Sequence, residues 1–106
     1  MTFNTKYGKY ENCSFRASRY SDNGNLALVV ESPEEGRIMT ISVNPGLKLG
    51  DNVLAVKNYS ENEGVDETLK ELGIIHDAPV SRIPSGWVEI PVYKLTEKGR
   101  ELFKCV

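Results

Sequence analysis

Carboxylates are the side chains best able to do chemistry in this 106-residue chain, because five of them fall close together. They are Glu61, Glu63, Asp66, Glu67 and Glu71. Closely spaced carboxylates can act as a general acid and a general base, but a carboxylic acid must be desolvated to keep its proton near neutral pH. These carboxylates fall on the predicted exposed face of a helix. We therefore expect no catalytic residues and no enzyme activity.

Histidine and cysteine, the usual metal ligands and nucleophiles, are scarce in the chain. His76 is the only histidine, and Cys13 and Cys105 are the only cysteines. A metal site or a nucleophile with a histidine base would have to be built from these scattered residues. The glycines also lack the spacing of a phosphate-binding loop. We expect no metal, no cofactor and two reduced thiols, since two distant cysteines do not indicate a disulfide scaffold.

The acidic segment is predicted to form one α-helix over about residues 60–72. Ser60 and Glu63 have the S-x-x-E spacing of a capping box, in which each side chain accepts a hydrogen bond from the other residue's N–H. Three apolar residues recur at i, i+4 and i+7 and predict one buried stripe: Val65, Leu69 and Leu72. Gly73 stands where a left-handed C-terminal cap is expected. The opposite face of this helix would carry the carboxylates outward.

Strands and turns are predicted on both sides of this helix. Alternation over residues 13–17, Asn23-Gly24 as a tight turn and an apolar run over 26–30 predict a hairpin. Further strands are predicted at 38–43, 53–56 and 87–95. In the last of these, Pro91 favours an edge position or a nitrogen that points out of the ladder. Residues 76–87 contain two prolines and are predicted to be a loop.

These elements predict one α+β domain over residues 1–106. It would have an antiparallel sheet of about five strands, with the helix at about 60–72 packed on one face. The C-terminal residues could add a short helix capped by Thr96, although Gly99 lowers its helix propensity.

Charge is distributed unevenly, although the net charge of the chain is only −2. Residues 51–77 hold seven acidic and two basic side chains, whereas residues 1–30 hold four basic and two acidic ones. With an isoelectric point of about 5.4, the chain lacks the basic character of a duplex-binding domain, so direct DNA binding is not expected. No apolar run has the length of a membrane span, and the N-terminal sequence lacks the apolar core of a signal peptide. A cytoplasmic protein with no membrane partner is expected.

Two resemblances bear on function. Residues 69–75 (LKELGII) and 85–102 (SGWVEIPVYKLTEKGREL) resemble the recognition helix, wing and tail of winged-helix regulators, which implies DNA binding. That family requires further helices before the recognition helix, where this chain is patterned as strands. Its recognition helix would also turn the carboxylates toward phosphates, which Coulomb repulsion opposes.

The second resemblance covers more of the chain. Residues 27–44 (ALVVESPEEGRIMTISVN), 57–64 (KNYSENEG), 71–75 (ELGII) and 85–95 (SGWVEIPVYKL) resemble an uncharacterised family of short bacterial proteins carried by phages and plasmids. The resemblance implies a mobile-element accessory protein in a bacterial host cell. For such a protein an inhibitor of host defence, including an anti-CRISPR protein, is the natural hypothesis.

Such an inhibitor could use an acidic helix to occupy a basic groove that a nucleic-acid-binding defence complex keeps for phosphates. The predicted contacts to this host protein combine two aromatic anchors with the carboxylates: Tyr59, Glu61, Glu63, Asp66, Glu67, Glu71 and Trp87. Alternatively, the carboxylates are solvated or cap the helix, Trp87 packs in the core or on an edge strand, and Tyr59 is partly buried. A homo-oligomer is compatible with the sequence. A binder of a small signalling nucleotide, with Arg16, Arg19 or Arg82 on its phosphates, is a further alternative.

Overall fold

The part of the chain that the structure describes forms three small antiparallel sheets, rather than the predicted single sheet of about five strands. The computed structural model describes residues 1–6, 8–104 and 106. Its strands are β1 (Phe3–Thr5), β2 (Gly8–Tyr10), β3 (Ser14–Arg19), β4 (Leu26–Ser32), β5 (Gly36–Thr40), β6 (Val53–Ala55), β7 (Ser81–Ser85) and β8 (Val88–Lys94). Its helices are α1 (Val65–Glu71), preceded by a 3-10 turn (Ser60–Asn62), and α2 (Glu97–Leu102). The α+β class is confirmed.

The sheets are β1-β2, β3-β4-β5 and β6-β8-β7. The second and third sheets do not merge, because β5 ends at Thr40 and the chain meets β6 only through an isolated bridge between Ser42 and Val56. After that bridge, Pro45 and Gly46 direct the chain into an irregular loop. The one-sheet prediction is therefore wrong, because pairing between these two sheets is limited to one bridge.

The predicted hairpin of β3 and β4 is confirmed, with Ser14 opposite Glu31 and Arg19 opposite Leu26. Its turn is wider than the tight Asn23-Gly24 turn we predicted. The N–H of Tyr20 donates to the carbonyl of Asn25 at 2.9 Å, so residues 20–25 form the loop. Only Gly24 has a positive φ, at 74°, because the side chain of Asn23 instead accepts a hydrogen bond from the Asn25 N–H.

Asn25 fixes the irregular loop over residues 44–49 to this turn. Its side chain is only 4% exposed, and its Nδ2 donates to Asn44 Oδ1 at 3.2 Å and to the Leu47 carbonyl at 2.8 Å. Its Oδ1 accepts from the N–H of Leu49 at 2.7 Å. The polar groups of a buried asparagine are thus satisfied by a segment about twenty residues away in sequence.

We expect Asn25→Ala to lower the free energy of unfolding by about 2 kcal/mol, because it leaves the Leu47 carbonyl and the Leu49 N–H without their partner. Denaturant unfolding followed by circular dichroism measures this change. Asn4→Ala, which truncates an exposed asparagine, is the control and should be nearly neutral. Equal stability of both variants and the native chain would show that the 44–49 loop does not depend on Asn25.

Prolines are accommodated in the third sheet in a way that local sequence did not reveal. We predicted residues 76–87 to be a loop, yet Ser81–Ser85 forms β7, with Pro84 opposite Glu89. β7 is an edge strand, which tolerates a proline. Of the two alternatives predicted for Pro91, the edge position is wrong, because its strand β8 is the central one, whereas the nitrogen outside the ladder is found. The Pro91 carbonyl accepts from the N–H of Val56 at 3.0 Å, and Val56 is the first residue after β6. The nitrogen of Pro91 therefore faces a position where the β6–β8 ladder has ended, and no ladder hydrogen bond is lost.

The helix predicted over about 60–72 is divided into the 3-10 turn and α1. Gly64, with φ of 91°, separates the two, and Ser60 itself has φ of 54°, so the capping box is not formed. Tertiary contacts override it. The Asn62 side chain is buried and donates to the Thr40 carbonyl at 2.7 Å, and Glu63 pairs with Lys6 at 3.0 Å instead of reaching back to Ser60.

α1 presents Val65 and Leu69 to the core, as predicted, but Leu72 is only half-buried. Thr68 is buried as well, and its hydroxyl donates to the carbonyl of Asn4 in β1. The predicted C-terminal cap is confirmed. The N–H of Gly73 donates to Lys70 and the N–H of Ile74 donates to Leu69, the hydrogen-bond pair of a Schellman motif.

The main core lies between the second sheet, α1 and one face of β8. Its fully buried members include Leu28, Val30, Ile41, Leu54, Val65, Leu69 and Leu95. A smaller cluster of Ala55, Ile90 and Val92 covers the other face of β8. Cys13 belongs to the main core as a free thiol, and Cys105 lies outside the described residues. No helix in the described part of the chain is long and apolar enough to cross a membrane.

Candidate protein-binding surface

Four of the predicted contact residues are exposed carboxylates in or next to the 3-10 turn and α1. We call Glu61, Glu63, Glu67 and Glu71 the acidic surface. Lysines accompany three of these carboxylates: Lys57 contacts Glu61, Lys6 contacts Glu63 at 3.0 Å, and Lys70 contacts Glu67 at 3.2 Å. Among the described residues Glu71 makes no ion pair.

These ion pairs are exposed and therefore contribute little to stability. The hydrogen bond from Lys57 lowers the pKa of the Glu61 carboxyl, so this group is charged at neutral pH. Because these exposed ion pairs break at little cost in free energy, the four carboxylates can instead form ion pairs with cations on another molecule. The charge of the acidic surface therefore suits it to binding a basic partner, although the neighbouring lysines reduce its net negative charge.

Asp66 differs from the other carboxylates, because it does not face outward as predicted. Its Oδ2 accepts from the hydroxyl of Tyr93 at 3.0 Å and from Asn58 Nδ2 at 3.3 Å. Burial and this hydrogen bond both raise the pKa of Tyr93. The Lys70 ammonium lies 5.2 Å from the centre of the same ring. Asp66 thus joins α1 to β8 and supports the fold.

Tyr59 is half-buried and packs on the small cluster of Ala55, Ile90 and Val92. The ammonium of Lys57 lies 5.7 Å from its ring centre. The sequence left open whether Tyr59 is a contact residue or a partly buried one, and the structure shows that it is partly buried. Only the remaining edge of the side chain is available to another molecule.

Trp87 has the opposite surroundings. It occupies the second position of the two-residue turn between Ser85 and Val88, which closes the β7–β8 hairpin. Gly86 has φ of 60°, as the first position of a type II′ turn requires. The side chain of Trp87 is fully exposed, with a relative accessible surface of 104%. The interpretation of Trp87 as a packing residue is therefore wrong, because the turn holds it away from both faces of the sheet.

The arginines considered for a nucleotide site do not come together. Arg16 pairs with Glu31 at 3.5 Å, and Arg82 lies on β7 in a different sheet from Arg16 and Arg19. Arg19 instead lines a cleft beside α2, together with Arg100 and Lys104. Sequence reasoning missed this second group of cations. The only local signal was the spacing of Arg100 and Lys104, four residues apart.

The described residues include no group of three or more histidine, cysteine, aspartate or glutamate side chains placed to hold a metal ion. Together with the fold, these observations describe a small α+β protein with a fully exposed tryptophan at a hairpin tip and exposed carboxylates in and just before α1. Comparison of the chain with protein-family models, with curated proteins and with solved structures gives no match.

Proposed function

We propose that the chain is a non-enzymatic binding protein that recognises a partner protein through Trp87 and the acidic surface. The observation that carries this proposal is the complete exposure of Trp87 at a hairpin tip. A tryptophan side chain offers about 150–250 Å² of area for burial and dominates many protein interfaces. Left in water, it contributes nothing to the core of its own protein.

The hairpin tip is suited to an anchor role for two reasons. A two-residue turn between paired residues is rigid, so little conformational entropy is lost when Trp87 is immobilised in a pocket. The tip also protrudes, so the indole can enter a concave site on the partner. Exposed neighbours on the hairpin, Arg82 and Glu89, can form the polar rim that surrounds such anchors.

The acidic surface would act mainly on the rate and selectivity of association. Exposed carboxylates attract a basic partner over roughly one Debye length, about 8 Å at physiological salt. A partner that binds nucleic acid offers the matching positive groove. The resemblance of residues 27–44, 57–64 and 85–95 to short phage and plasmid proteins supports the finer proposal: a mobile-element protein of the bacterial cytoplasm that inhibits a host defence complex, as anti-CRISPR proteins do.

Among the alternatives, DNA binding by a winged helix lacks support from the fold. The elements described before residue 60 are all β-strands, whereas the winged-helix class needs helices there. The nucleotide alternative placed Arg16, Arg19 or Arg82 on the phosphates. Arg16 pairs with Glu31 and Arg82 lies in a different sheet, so neither joins Arg19, which lines a separate cleft beside α2.

A charge-reversal pair tests the role of the acidic surface. Once the partner has been captured from a bacterial host extract and identified by mass spectrometry, we expect Glu67→Lys with Glu71→Lys to slow association about tenfold at low salt. Asp66 is left unchanged, because a lysine there would break its hydrogen bond with Tyr93. Stopped-flow or surface-plasmon measurements over a range of salt concentrations give the rate.

The matched control is Glu34→Lys with Glu35→Lys, which makes the same charge change at exposed positions in the β4–β5 turn. If both pairs slow association equally, only the total charge matters and the acidic surface has no special role. If neither pair changes the rate, electrostatic attraction does not guide this complex.

A further inference from the structure

A cleft of about 220 Å³ lies beside α2, away from the hairpin tip in the fold and unused by the proposed function. Three basic side chains line it, Arg19, Arg100 and Lys104, against one acidic side chain, Asp51. We call it the basic cleft. Positive charge gathered in one concavity is unexpected in a chain whose net charge is −2, and three cations around one cleft attract anions to it.

Arg100 and Lys104 have no carboxylate partners among the described residues. Arg100 lies in the last turn of α2 and Lys104 lies two residues beyond its end; both are exposed, and two like charges that line one cleft repel each other. An anion held between them would relieve this repulsion. The two side chains can therefore close on a ligand without breaking an existing ion pair.

Arg19 is already held in place. Its Nη1 donates to the Gly24 carbonyl at 3.0 Å, and its Nε donates to the main-chain oxygen of Val106, the last residue of the sequence, at 3.3 Å. Nη1 also lies 3.6 Å from Asp51 Oδ1, whose side chain is 82% exposed, while Nη2 takes part in none of these contacts. A guanidinium fixed in this way loses little rotamer freedom on binding, and its planar fork matches phosphate oxygens.

Apolar and neutral groups complete the basic cleft. Leu95 and Phe103 are almost fully buried and line it, and Asn52 adds an amide. Its volume is below the roughly 300 Å³ at which sites for drug-sized molecules begin. The ligand must therefore be small, anionic at one end and apolar or weakly polar at the other.

We propose that the basic cleft binds a small phosphomonoester, with the phosphate among Arg19, Arg100 and Lys104 and the organic group beside Asn52 and the exposed edge of Phe103. The proposal does not involve Trp87, so its failure would leave the proposed protein-binding function untouched. Asp51 acts against binding, because its carboxylate competes with the phosphate for Arg19.

Titration with phenyl phosphate and with inorganic phosphate, followed by two-dimensional NMR of backbone amides at low salt, tests the proposal. We expect saturable shifts at Asn52, Leu95, Arg100 and Phe103, with tighter binding of phenyl phosphate than of inorganic phosphate. Arg100→Gln should weaken binding of phenyl phosphate about tenfold, since it removes a charge-assisted hydrogen bond. Asp51→Asn should strengthen it about threefold, because a nearby carboxylate is removed.

Lys98→Gln is the matched control. It makes the same charge change as Arg100→Gln on an exposed position of α2, but Lys98 does not line the basic cleft. Its affinity for phenyl phosphate should stay within about twofold of the native value. Equal losses in Arg100→Gln and Lys98→Gln would overturn the proposal in favour of general charge attraction. Absence of saturable shifts with both phosphates would overturn it outright.

Discussion

Replacing Gly99 with alanine should lower the free energy of unfolding by about 3 kcal/mol, the upper end for overpacking a close contact. A Cβ built on Gly99 would lie 2.1 Å from the carbonyl oxygen of Ile74 and 3.3 Å from Leu95 Cβ. The first distance is far shorter than any real carbon–oxygen contact. α2 would therefore have to move away from the segment that follows α1.

The Ile74 backbone cannot shift without breaking other bonds. Its carbonyl accepts from the N–H of Thr96 at 3.0 Å, and the Thr96 hydroxyl donates to the carbonyl of the preceding residue, Gly73. The N–H of Ile74 donates to Leu69 in the cap of α1. Thr96 also caps α2 by accepting from the N–H of Gly99 at 3.0 Å, so the cap of α2 and the end of α1 would be disturbed together.

Denaturant and thermal unfolding measure the change in the free energy of unfolding, and the sign of this change distinguishes a steric clash from a gain in helix propensity. By helix propensity alone, alanine in place of glycine would stabilise α2 by about 1 kcal/mol. Lys98→Ala is the control, since it places alanine at the neighbouring exposed position of α2 and should be nearly neutral. A Gly99→Ala variant as stable as the native chain, or more stable, would contradict the close approach of α2 to Ile74.

Trp87→Ala should weaken binding of the partner protein at least 30-fold while leaving the stability of the fold unchanged. The loss corresponds to about 2 kcal/mol, the threshold of an interface hot spot. Stability should stay within about 0.5 kcal/mol, because the side chain makes no buried contact that unfolding would break. Separate changes of affinity and stability distinguish an anchor from a packing residue.

Trp87 also reports on its own binding, because it is the only tryptophan in the chain. Its fluorescence emission should shift to shorter wavelength when a partner pocket buries the indole, and titration then gives the affinity. Val80→Ala removes another exposed apolar side chain, 59% accessible, and is the control for general loss of surface hydrophobicity. Retained affinity in Trp87→Ala, or equal losses in both variants, would contradict the anchor role.

Local sequence signals predicted those elements that depend on neighbouring residues. The cap at Gly73, the cap of α2 by Thr96 and the β3–β4 hairpin all rest on hydrogen bonds or periodicity within a few residues, and all were found. The capping box at Ser60 failed for a different reason. The Asn62 side chain donates to the Thr40 carbonyl and Glu63 forms an ion pair with Lys6, and these tertiary contacts replace the capping box.

The candidate surfaces divide in the same way. The position of the carboxylates on a helical segment could be predicted from composition and spacing, and four of the five lie exposed as expected. The internal role of Asp66 could not, because it depends on Tyr93, 27 residues away in sequence. The basic cleft was missed because Arg19 and Arg100 are brought together only by folding.

The amino-acid sequence by itself determined the α+β class, strands β3 to β6, the acidic segment and the caps at Gly73 and Thr96, whereas strands β1 and β2 were not predicted. Periodicity and short-range hydrogen bonding act within one or two turns of chain. Tertiary structure decided the division into three sheets, the strand formed by residues 81–85, the exposure of Trp87, the need for glycine at position 99 and the assembly of the basic cleft. Each of these depends on which distant segments pack together, because burial and strand pairing are properties of the whole chain.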